Sequence, residues 1–346
     1  MKIVIDTKYN DTFTATSKAR EDANKILIKN GFKVNYIIIK SKNLLLNVFF
    51  NYIQLKKILK KIPKKSTLLF QYPFDSMSYR FSKTIKKYCI KNNINSIALI
   101  HDINLLRTTS KMGKFYFKYF IKEFKFLNNF DEIICHNSRM KNYLVSNNVE
   151  KNKIICLNLF DYLINDSSKK SDKDNFKCVI VAGNLSKNKA GYLYKLIDTN
   201  IAGYKYNLYG MNYQGDETEN IIYKGVFKSD KPREKINNGF GLVWDGNSYD
   251  GCDGNFGEYL KWNNPHKFSL YMAIGIPVIV WSESALSEFV KANEIGVVID
   301  SLCDLNTFFE KLDYAQYKKY VNNVKKIQKK VINGEFLNQV IKEFKI

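Results

Sequence analysis

Short apolar runs alternate with amphipathic stretches along the chain, and this alternation predicts its secondary structure. Strands are predicted over residues 2–5, 34–39, 67–70, 96–100, 132–135 and 153–156. Helices are predicted between them, one ending near residue 29 and the others over residues 44–62, 76–92, 114–127 and 138–146. Apolar strands that alternate with helices are typical of a doubly wound parallel sheet. The pattern therefore predicts a Rossmann-like α/β domain over residues 1–160.

The alternation stops at residues 166–175, DSSKKSDKDN, a charged run that we interpret as a linker. It restarts with predicted strands over residues 177–181, 206–209, 221–223, 240–243, 278–280 and 296–299. The predicted helices here are residues 191–197, 231–237, 285–292 and a terminal set from residue 306. A second Rossmann-like domain is thus expected over residues 176–346, with terminal helices free to pack back on the first domain. Two such domains are expected to face each other across a cleft at the carboxyl ends of their strands.

Residues 263–280, NNPHKFSLYMAIGIPVIV, contain a helix whose two ends are marked by the sequence. Pro265 suits the first turn, where its missing N–H has no intrahelical partner anyway, and Gly275 suits the position after the last turn. His266 and Lys267 then lie in the first turn, beside exposed N–H groups and the positive end of the helix dipole. Such a turn binds anions, above all phosphate. We therefore predict that it holds the diphosphate of a nucleotide sugar.

Composition narrows the classes of partner. The 346 residues are 45% hydrophobic, and 55 Lys and Arg against 33 Asp and Glu give a net charge of +22. Such a charge is compatible with nucleic acid, an anionic membrane surface or an anionic substrate. The basic residues are mostly scattered lysines, whereas nucleic-acid modules concentrate arginine in a patch, and no nucleic-acid-binding motif is present. We therefore expect no nucleic-acid partner.

The cysteines and the apolar runs point to a cytoplasmic protein. None of the six cysteines forms a CxxC pair, and several lie in apolar strands, which is typical of core cysteines in a reducing compartment. The N-terminus turns polar too soon for a signal peptide, and no run approaches the roughly 18 apolar residues of a membrane span. Residues 44–65 and 114–127 are basic and amphipathic. They are either lysine-bearing helices that face the core or a peripheral contact with the inner membrane surface.

Two loops follow strands of the second domain. AGNLSKNKAG, residues 182–191, has a glycine after a buried strand and two lysines, but neither a Walker nor a dinucleotide motif. It is either an anion-binding loop or an ordinary turn. WDGNSYDGCDGNFGEYLKW, residues 244–262, carries Asp245, Asp250, Asp253 and Glu258, yet its spacing fails the EF-hand pattern and the loop itself contains no DxD. We predict no metal there. We expect a mobile loop that faces the substrate, whose residues 246–257 line the acceptor pocket together with residues 7–16.

His101 and Asp102 follow a strand of the first domain in the run IHDINLLR. A carboxylate at the carboxyl end of a strand points into the expected cleft, where a general base is useful. The imidazole could orient an acceptor or a phosphate. The alternative is a helix-capping aspartate beside a packed histidine. His136 follows another strand end and is interpreted as a loop residue before an Asn or Ser cap.

GFGLVWDG, residues 239–246, and GEYLKWNNPHKFSLYMAIGIPVIVW, residues 257–281, resemble one family of bacterial GT-B glycosyltransferases. That family includes β-1,6-galactofuranosyltransferases and the glucosyltransferase that extends O-linked GlcNAc on serine-rich-repeat adhesins. IHDINLLR and AGNLSKNKAG fall where those enzymes have comparable segments. The resemblance implies two Rossmann-like domains, with the acceptor on the side of the first and UDP held mostly by the second.

The resemblance also assigns roles to residues. Lys267 matches the family lysine at the diphosphate. Lys187 falls where a relative has an arginine, and a lysine cannot form the bidentate hydrogen bonds to phosphate that an arginine forms. Asp102 matches the family HD pair. The predicted catalytic residues are Asp102 and His101, and the predicted donor-binding set is Gly183, Asn184, Lys187, Tyr223, Asp245, Asn264, His266 and Lys267.

One departure from the broader retaining pattern bears on mechanism. Retaining enzymes of this fold place a second carboxylate where this chain has Leu270. This departure gives a retaining mechanism no support and favours an inverting, metal-independent transfer. The expected donor is UDP-galactofuranose or another UDP-hexose, with no cofactor, and the expected acceptor is a lipid-linked oligosaccharide. A glycosylated adhesin as acceptor, a non-catalytic sugar-nucleotide-binding partner of another transferase, and a homo-oligomer stay open.

Overall fold

The computed structural model describes residues 1–9, 15–39, 44–73, 79–107, 122–164 and 176–344. They form two compact units, Met1–Asn158 with Phe336–Ile346, and Leu159–Glu335. The predicted linker, residues 166–175, lies outside the described residues, as does most of the predicted helix 114–127.

The first unit is built on a six-stranded parallel sheet. Its strands are β1 (Lys2–Tyr9), β2 (Phe32–Ile39), β3 (Thr67–Tyr72), β4 (Asn95–Ile100), β5 (Glu132–Cys135) and β6 (Ile154–Cys156), in the order β2-β1-β3-β4-β5-β6. Its helices before residue 158 are α1 (Ala15–Lys29), α2 (Leu44–Leu59), α3 (Tyr79–Asn92), α4 (Asn104–Arg107), α5 (Glu123–Leu127) and α6 (Ser138–Ser146). Strands β3 to β5 are buried almost throughout, which explains why they are apolar on both faces.

The second unit repeats this architecture. Its strands are β7 (Cys178–Asn184), β8 (Lys205–Met211), β9 (Ile221–Tyr223), β10 (Phe240–Val243), β11 (Val278–Trp281) and β12 (Gly296–Ile299), in the order β12-β11-β10-β7-β8-β9. All its strand pairs are parallel. The helices that follow β7 are α7 (Lys187–Ala190), α8 (Gly254–Tyr259), α9 (His266–Ile274), α10 (Ser287–Asn293), α11 (Asp304–Lys311) and α12 (Tyr314–Asn333). The terminal α13 (Glu335–Glu343) falls almost entirely in the first unit. Both sheets are Rossmann-like, which confirms the predicted fold class.

Two predicted helices of the second unit are wrong. Residues 191–197 form the 3₁₀ turns Gly191–Tyr194 and Leu196–Asp198. An α-helix continuing from α7 would direct the Tyr192 N–H to the carbonyl of residue 188, but this N–H donates to the Gly246 carbonyl at 3.1 Å. Residues 231–237 contain only the 3₁₀ turn Pro232–Glu234, a segment too short to repay helix nucleation. The long glycine-rich loop, by contrast, contains α8, which the sequence pattern does not predict.

The remaining boundaries differ by a few residues. Helix α2 ends at Leu59 rather than at residue 62, and β1 runs on to Tyr9. In the described part of residues 114–127, four of the five α5 residues are buried, which favours a helix that faces the core there. No helix within the described residues combines the length and apolar character needed to span a bilayer.

Candidate active site

Helix α9 places two basic residues at its start. Pro265 is the N-cap, with φ −66° and ψ 137°, and not a first-turn residue as predicted; its fixed φ still directs the chain into the helix. His266 and Lys267 are the first two helical residues, and Gly275 ends the helix in the left-handed conformation with φ 84°. The predicted basic first turn is therefore confirmed.

The Lys267 side chain is held at the carboxyl end of β10. Its Nζ donates to Asp245 Oδ1 at 2.9 Å and to the Trp244 carbonyl oxygen at 3.0 Å. Only 14% of the lysine side chain and 8% of the aspartate side chain are exposed. The structure thus brings together two members of the predicted donor-binding set as one buried ion pair, and the pair fixes where the ammonium lies.

Tyr271 fastens α9 to the strands beneath it. Its hydroxyl donates to the Ile180 carbonyl at 3.0 Å and accepts the Ala182 N–H at 3.0 Å. Its ring lies on Gly241 of β10, where an added Cβ would come within 2.2 Å of the ring. These contacts fix α9, and with it the first turn that carries His266 and Lys267, against the sheet.

His266 stacks on an aromatic side chain at the start of the second unit. Its ring lies 4.8 Å from that of Tyr162 at an interplanar angle of 29°, and Phe160 contacts it edge-on at 6.3 Å. Asn264, just before the helix, is buried. Stacking fixes the plane of the imidazole, so His266 has one preferred orientation at the helix start.

The loop after β7 approaches the same edge of the sheet. Gly183 has φ 132° and nothing within 4 Å of where a Cβ would be, so the backbone here is open to a ligand. Asn184 shapes the turn, because its Oδ1 accepts the Ser186 N–H at 3.1 Å and the Asn212 amide at 3.0 Å. Lys187 opens α7, with its ammonium 5.2 Å from the centre of the Tyr194 ring.

Backbone hydrogen bonds tie this loop to the one that follows β10. The Gly246 N–H donates to the Lys189 carbonyl at 2.8 Å, and the Tyr192 N–H donates back to Gly246 at 3.1 Å. Lys187 and Asp245 therefore belong to two joined loops of one sheet edge. Tyr223 lies farther along, at the end of β9, stacked on Tyr213 with ring centres 5.5 Å apart.

The acidic residues of the glycine-rich loop are dispersed over separate partners. Asp253 accepts the N–H groups of Asn247 and Ser248, while Asp250 accepts the Ser301 hydroxyl at 2.6 Å. Glu258 pairs with Lys261 at 2.9 Å. Within the part of the chain that the structure describes, no three His, Cys, Asp or Glu side chains form a group able to hold a metal ion.

In the first unit, His101 and Asp102 lie directly after β4. The His101 ring is buried, with Nε2 2.6 Å from Gln71 Oε1 on the neighbouring strand β3. Asp102 is more open, with 17% of its side chain exposed, and it forms an ion pair with Arg107 of α4. The ion pair holds Oδ2 of the Asp102 carboxylate against the guanidinium of Arg107.

Glu123, which sequence reasoning missed, binds the start of α4, the helix that follows His101 and Asp102. Its carboxylate accepts the N–H groups of Asn104 at 2.9 Å and Leu105 at 2.8 Å, and the Tyr72 hydroxyl. Burial raises the pKa of Glu123 to about 6, although these three donors act against the shift. Glu123 is thus a cap for α4, the helix that carries Arg107 toward Asp102.

His136 is also more than the loop residue that the sequence suggested. Asn137 is the N-cap of α6 and accepts the Met140 N–H at 2.9 Å, as expected for a residue before the helix. The His136 ring itself is buried against the carbonyl groups of Ile100 and His101. Burial lowers its pKa to about 3, so the ring is neutral near pH 7. It braces the backbone on which His101 and Asp102 lie.

The two sheets and their neighbours define the class of the protein. HepE from Anabaena, solved in complex with UDP, matches 99% of this chain and 99% of its own with a TM-score of 0.64 and 11% sequence identity. The fold is that of the GT-B glycosyltransferases. The family follows from sequence models: the glucosyltransferase 3-like N-terminal domain matches residues 1–159 and the corresponding C-terminal domain matches residues 179–344. The chain belongs to this glucosyltransferase 3-like family.

Two relatives agree with that placement. The β-1,6-galactofuranosyltransferase WbbI of Escherichia coli K12 is 32% identical over 295 residues, which are 84% of this chain and 82% of WbbI. Glucosyltransferase 3 of Streptococcus gordonii is 32% identical over 126 residues, 35% of this chain and 36% of its own length. The sequence motifs resembled a family that includes both kinds of enzyme, and these two relatives confirm that resemblance. The protein is a glycosyltransferase.

Proposed function

We propose that the protein transfers a hexose, with galactofuranose favoured, from a UDP-sugar to the precursor of a cell-surface glycan. The main support for this proposal is the position of Lys267. It lies in the first turn of α9, and its ammonium is held at the carboxyl end of β10. A cation and a helix N-terminus at one point suit a diphosphate. HepE binds UDP and UDP-glucose, which supports the nucleotide, and the similarity to WbbI supports the sugar.

In this proposal the donor lies along the carboxyl edge of the second sheet. Lys267 and His266 face the diphosphate, and the open backbone at Gly183 lets it approach closely. Lys187 supplies a second cation from the joined loop. Tyr223, stacked on Tyr213, offers an aromatic surface of the kind on which a base packs. Asn184, Asp245 and Asn264 hold the loops that carry these groups.

We infer an inverting displacement. Asp102 takes the proton of an acceptor hydroxyl, whose oxygen forms a bond to the anomeric carbon. The bond from that carbon to the diphosphate oxygen breaks, and UDP leaves with the electron pair. Lys267 and the α9 dipole stabilise the charge that develops on the leaving diphosphate. Because fixed cations do this, the proposal needs no metal ion.

We further propose that the protein works at the cytoplasmic membrane surface on a lipid-linked acceptor. On α2, Leu46, Phe49 and Phe50 are 50%, 60% and 47% exposed. Six exposed lysines follow in the same helix and the turn after it: Lys56, Lys57, Lys60, Lys61, Lys64 and Lys65. Apolar side chains next to a basic cluster suit an anionic bilayer surface.

The test is a panel of UDP-sugars offered to the purified chain with a lipid-linked acceptor, followed by linkage analysis of the product. We expect transfer with UDP-galactofuranose, with inverted anomeric configuration and activity retained in EDTA. Asp102→Asn should lose transfer while it keeps UDP affinity, and Lys187→Ala should lose UDP affinity. Lys205→Ala, an exposed lysine at the opposite end of the same sheet, is the matched control and should change neither. Transfer only from UDP-glucose to an O-GlcNAc peptide would replace both the donor and the acceptor in this proposal.

A further inference from the structure

Five buried polar side chains meet at the carboxyl edge of the first sheet. They come from β1, α1, β3 and the residue after β4, and they are Asp6, Arg20, Asn24, Gln71 and His101. Each is at most 8% exposed, and Gln71 is fully buried. Polar groups at this depth need hydrogen-bond partners, so the pattern of donors and acceptors among them is closely determined.

Asp6 is the fixed point of this network. Its Oδ1 accepts the Thr7 N–H at 2.7 Å and Arg20 Nη1 at 2.7 Å. Its Oδ2 accepts Asn24 Nδ2 at 2.8 Å and Gln71 Nε2 at 3.2 Å. A carboxylate has about four acceptor sites and no proton to donate, so all four are filled by donors.

This carboxylate sets the orientation of both side-chain amides. The NH₂ groups of Asn24 and Gln71 must face Asp6. Gln71 Nε2 also lies 2.6 Å from Asn24 Oδ1 and 3.2 Å from the Arg20 carbonyl oxygen, which are acceptors too. Reversing the Gln71 amide would place its oxygen against three acceptors. Gln71 Oε1 therefore faces away from the network, toward His101.

We propose that Asp6 and Gln71 fix the tautomer of His101, with the proton on Nε2 and the lone pair of the neutral ring on Nδ1. The basis is the 2.6 Å contact between His101 Nε2 and Gln71 Oε1, because an amide oxygen can only accept. Gln71 is thus a positioning residue that acts through His101. Arg20, paired with Asp6 and donating to the Gln71 carbonyl at 3.0 Å, holds the carboxylate in place.

The tautomer decides what His101 can bind, and this step rests on the proposed function. A phosphate oxygen needs a donor, whereas Nδ1 of this neutral ring is an acceptor. In this tautomer Nδ1, which is buried in this structure, can accept a hydrogen bond from a sugar hydroxyl but cannot donate one to the diphosphate. Of the two roles open to it from sequence, orienting an acceptor or a phosphate, the network selects the hydroxyl.

The tautomer can be measured without any substrate. The chain has three histidines, so a long-range ¹H–¹⁵N correlation spectrum of the ¹⁵N-labelled full chain shows three ring patterns. His136→Gln and His266→Gln assign two of them and leave the third to His101. We expect the pattern of a ring protonated on Nε2 near pH 7.5. A ring protonated on Nδ1, or an averaged mixture of tautomers, would overturn the proposal.

Substitution of Gln71 tests the cause. Gln71→Leu removes the acceptor, and the His101 pattern should move to a mixture of the two tautomers. Gln54→Leu is the matched control, because the Gln54 amide makes two hydrogen bonds of 3.0 Å to the Ile38 backbone in the same unit. It should leave His101 unchanged. An unaltered His101 pattern in folded Gln71→Leu would contradict the role of Gln71, and the wild-type spectrum decides the tautomer if that variant does not fold.

Kinetics separate this inference from the proposed function. Gln71→Leu should lower kcat/KM by about 10- to 100-fold, of the order of one positioned polar group, with UDP affinity unchanged. If the chain shows no transfer from any UDP-sugar, the proposed function fails while the tautomer result stands. If transfer is normal in Gln71→Leu although the tautomer has changed, the hydroxyl role of His101 is wrong and the proposed function survives.

Discussion

Lys267 Nζ lies 2.9 Å from Asp245 Oδ1, and this pair joins the first turn of α9 to the carboxyl end of β10. Both side chains are largely buried, so neither charge is compensated well by water. In a buried pair, the attraction offsets the cost of desolvation only while both partners are present. The cation proposed to meet the diphosphate is therefore also a structural group, and the two roles need separate measurements.

A double-mutant cycle separates them. Lys267→Met leaves Asp245 buried without its partner and should lower the free energy of unfolding by about 3–5 kcal/mol. Adding Asp245→Asn removes the stranded charge and should recover most of that loss, while UDP affinity stays low in both variants. All three tryptophans lie in the second unit, so their fluorescence in urea reports its unfolding, and calorimetric titration reports UDP affinity. Wild-type UDP affinity in the stabilised double variant would remove Lys267 from the donor site.

Sequence reasoning located the strands and the basic turn because both depend on local signals. Apolar runs mark buried strands, and Pro265 and Gly275 bracket α9 in the sequence itself. It failed where tertiary hydrogen bonds decide the outcome. Helix α7 does not continue into residues 191–197, where the Tyr192 N–H donates to Gly246, a residue far along the chain.

The polar network of the first unit leaves only a weak signal in the sequence. Asp6 follows the apolar run IVI in β1, Gln71 follows LLF in β3, and both side chains are buried. That pattern indicates polar groups with a defined partner. Their partners Arg20 and Asn24 lie on α1, and no sequence spacing connects them to His101. Sequence spacing does not connect Glu123 to its partners either, because in the sequence it is one charged residue among the lysines of residues 114–127.

His136 should make the first unit sensitive to acid. Its folded pKa of about 3 lies below the ordinary value of 6.5, so its contribution to stability is full above pH 6.5 and is lost as the pH falls toward 3. Between pH 7.5 and pH 5 the loss should be about 2 kcal/mol. Hydrogen exchange of the β4 and β5 amides measures it in the right unit. His136→Gln should remove this loss of stability, whereas His266→Gln in the second unit should retain it. If His136→Gln loses as much stability as the wild type between pH 7.5 and pH 5, another group causes the acid sensitivity.

Glu123 should give the opposite pH dependence, with stability lost as the pH rises. Burial raises its folded pKa to about 6 from 4.5, so the folded state holds the proton more tightly. Its contribution is full below pH 4.5 and is lost as the pH rises through 6, about 2 kcal/mol in all. The Tyr72 hydroxyl, which donates to Glu123, lowers this pKa. Tyr72→Phe should therefore raise it further, as read from the ¹³C-carboxyl titration.

The control for that titration is Tyr88→Phe, because the Tyr88 hydroxyl contacts the Ile62 carbonyl in the same unit instead. It should leave the Glu123 titration where it is in the wild type. A Glu123 pKa that does not move in Tyr72→Phe would show that this hydroxyl contributes little to the carboxylate.

The exposed face of α2 gives the test of membrane contact. Phe49 and Phe50 lie next to each other, with ring centres 5.8 Å apart, and the lysines that follow are exposed. We expect the chain to sediment with vesicles that contain phosphatidylglycerol, and the double variant Phe49→Ser with Phe50→Ser to bind them about tenfold or more weakly, since two aromatic side chains no longer enter the interface. Ile90→Ser is the control, because Ile90 is 70% exposed on a different helix, α3. Equal sedimentation with neutral phosphatidylcholine vesicles, or binding unaffected by loss of both phenylalanines, would contradict this surface as the lipid contact.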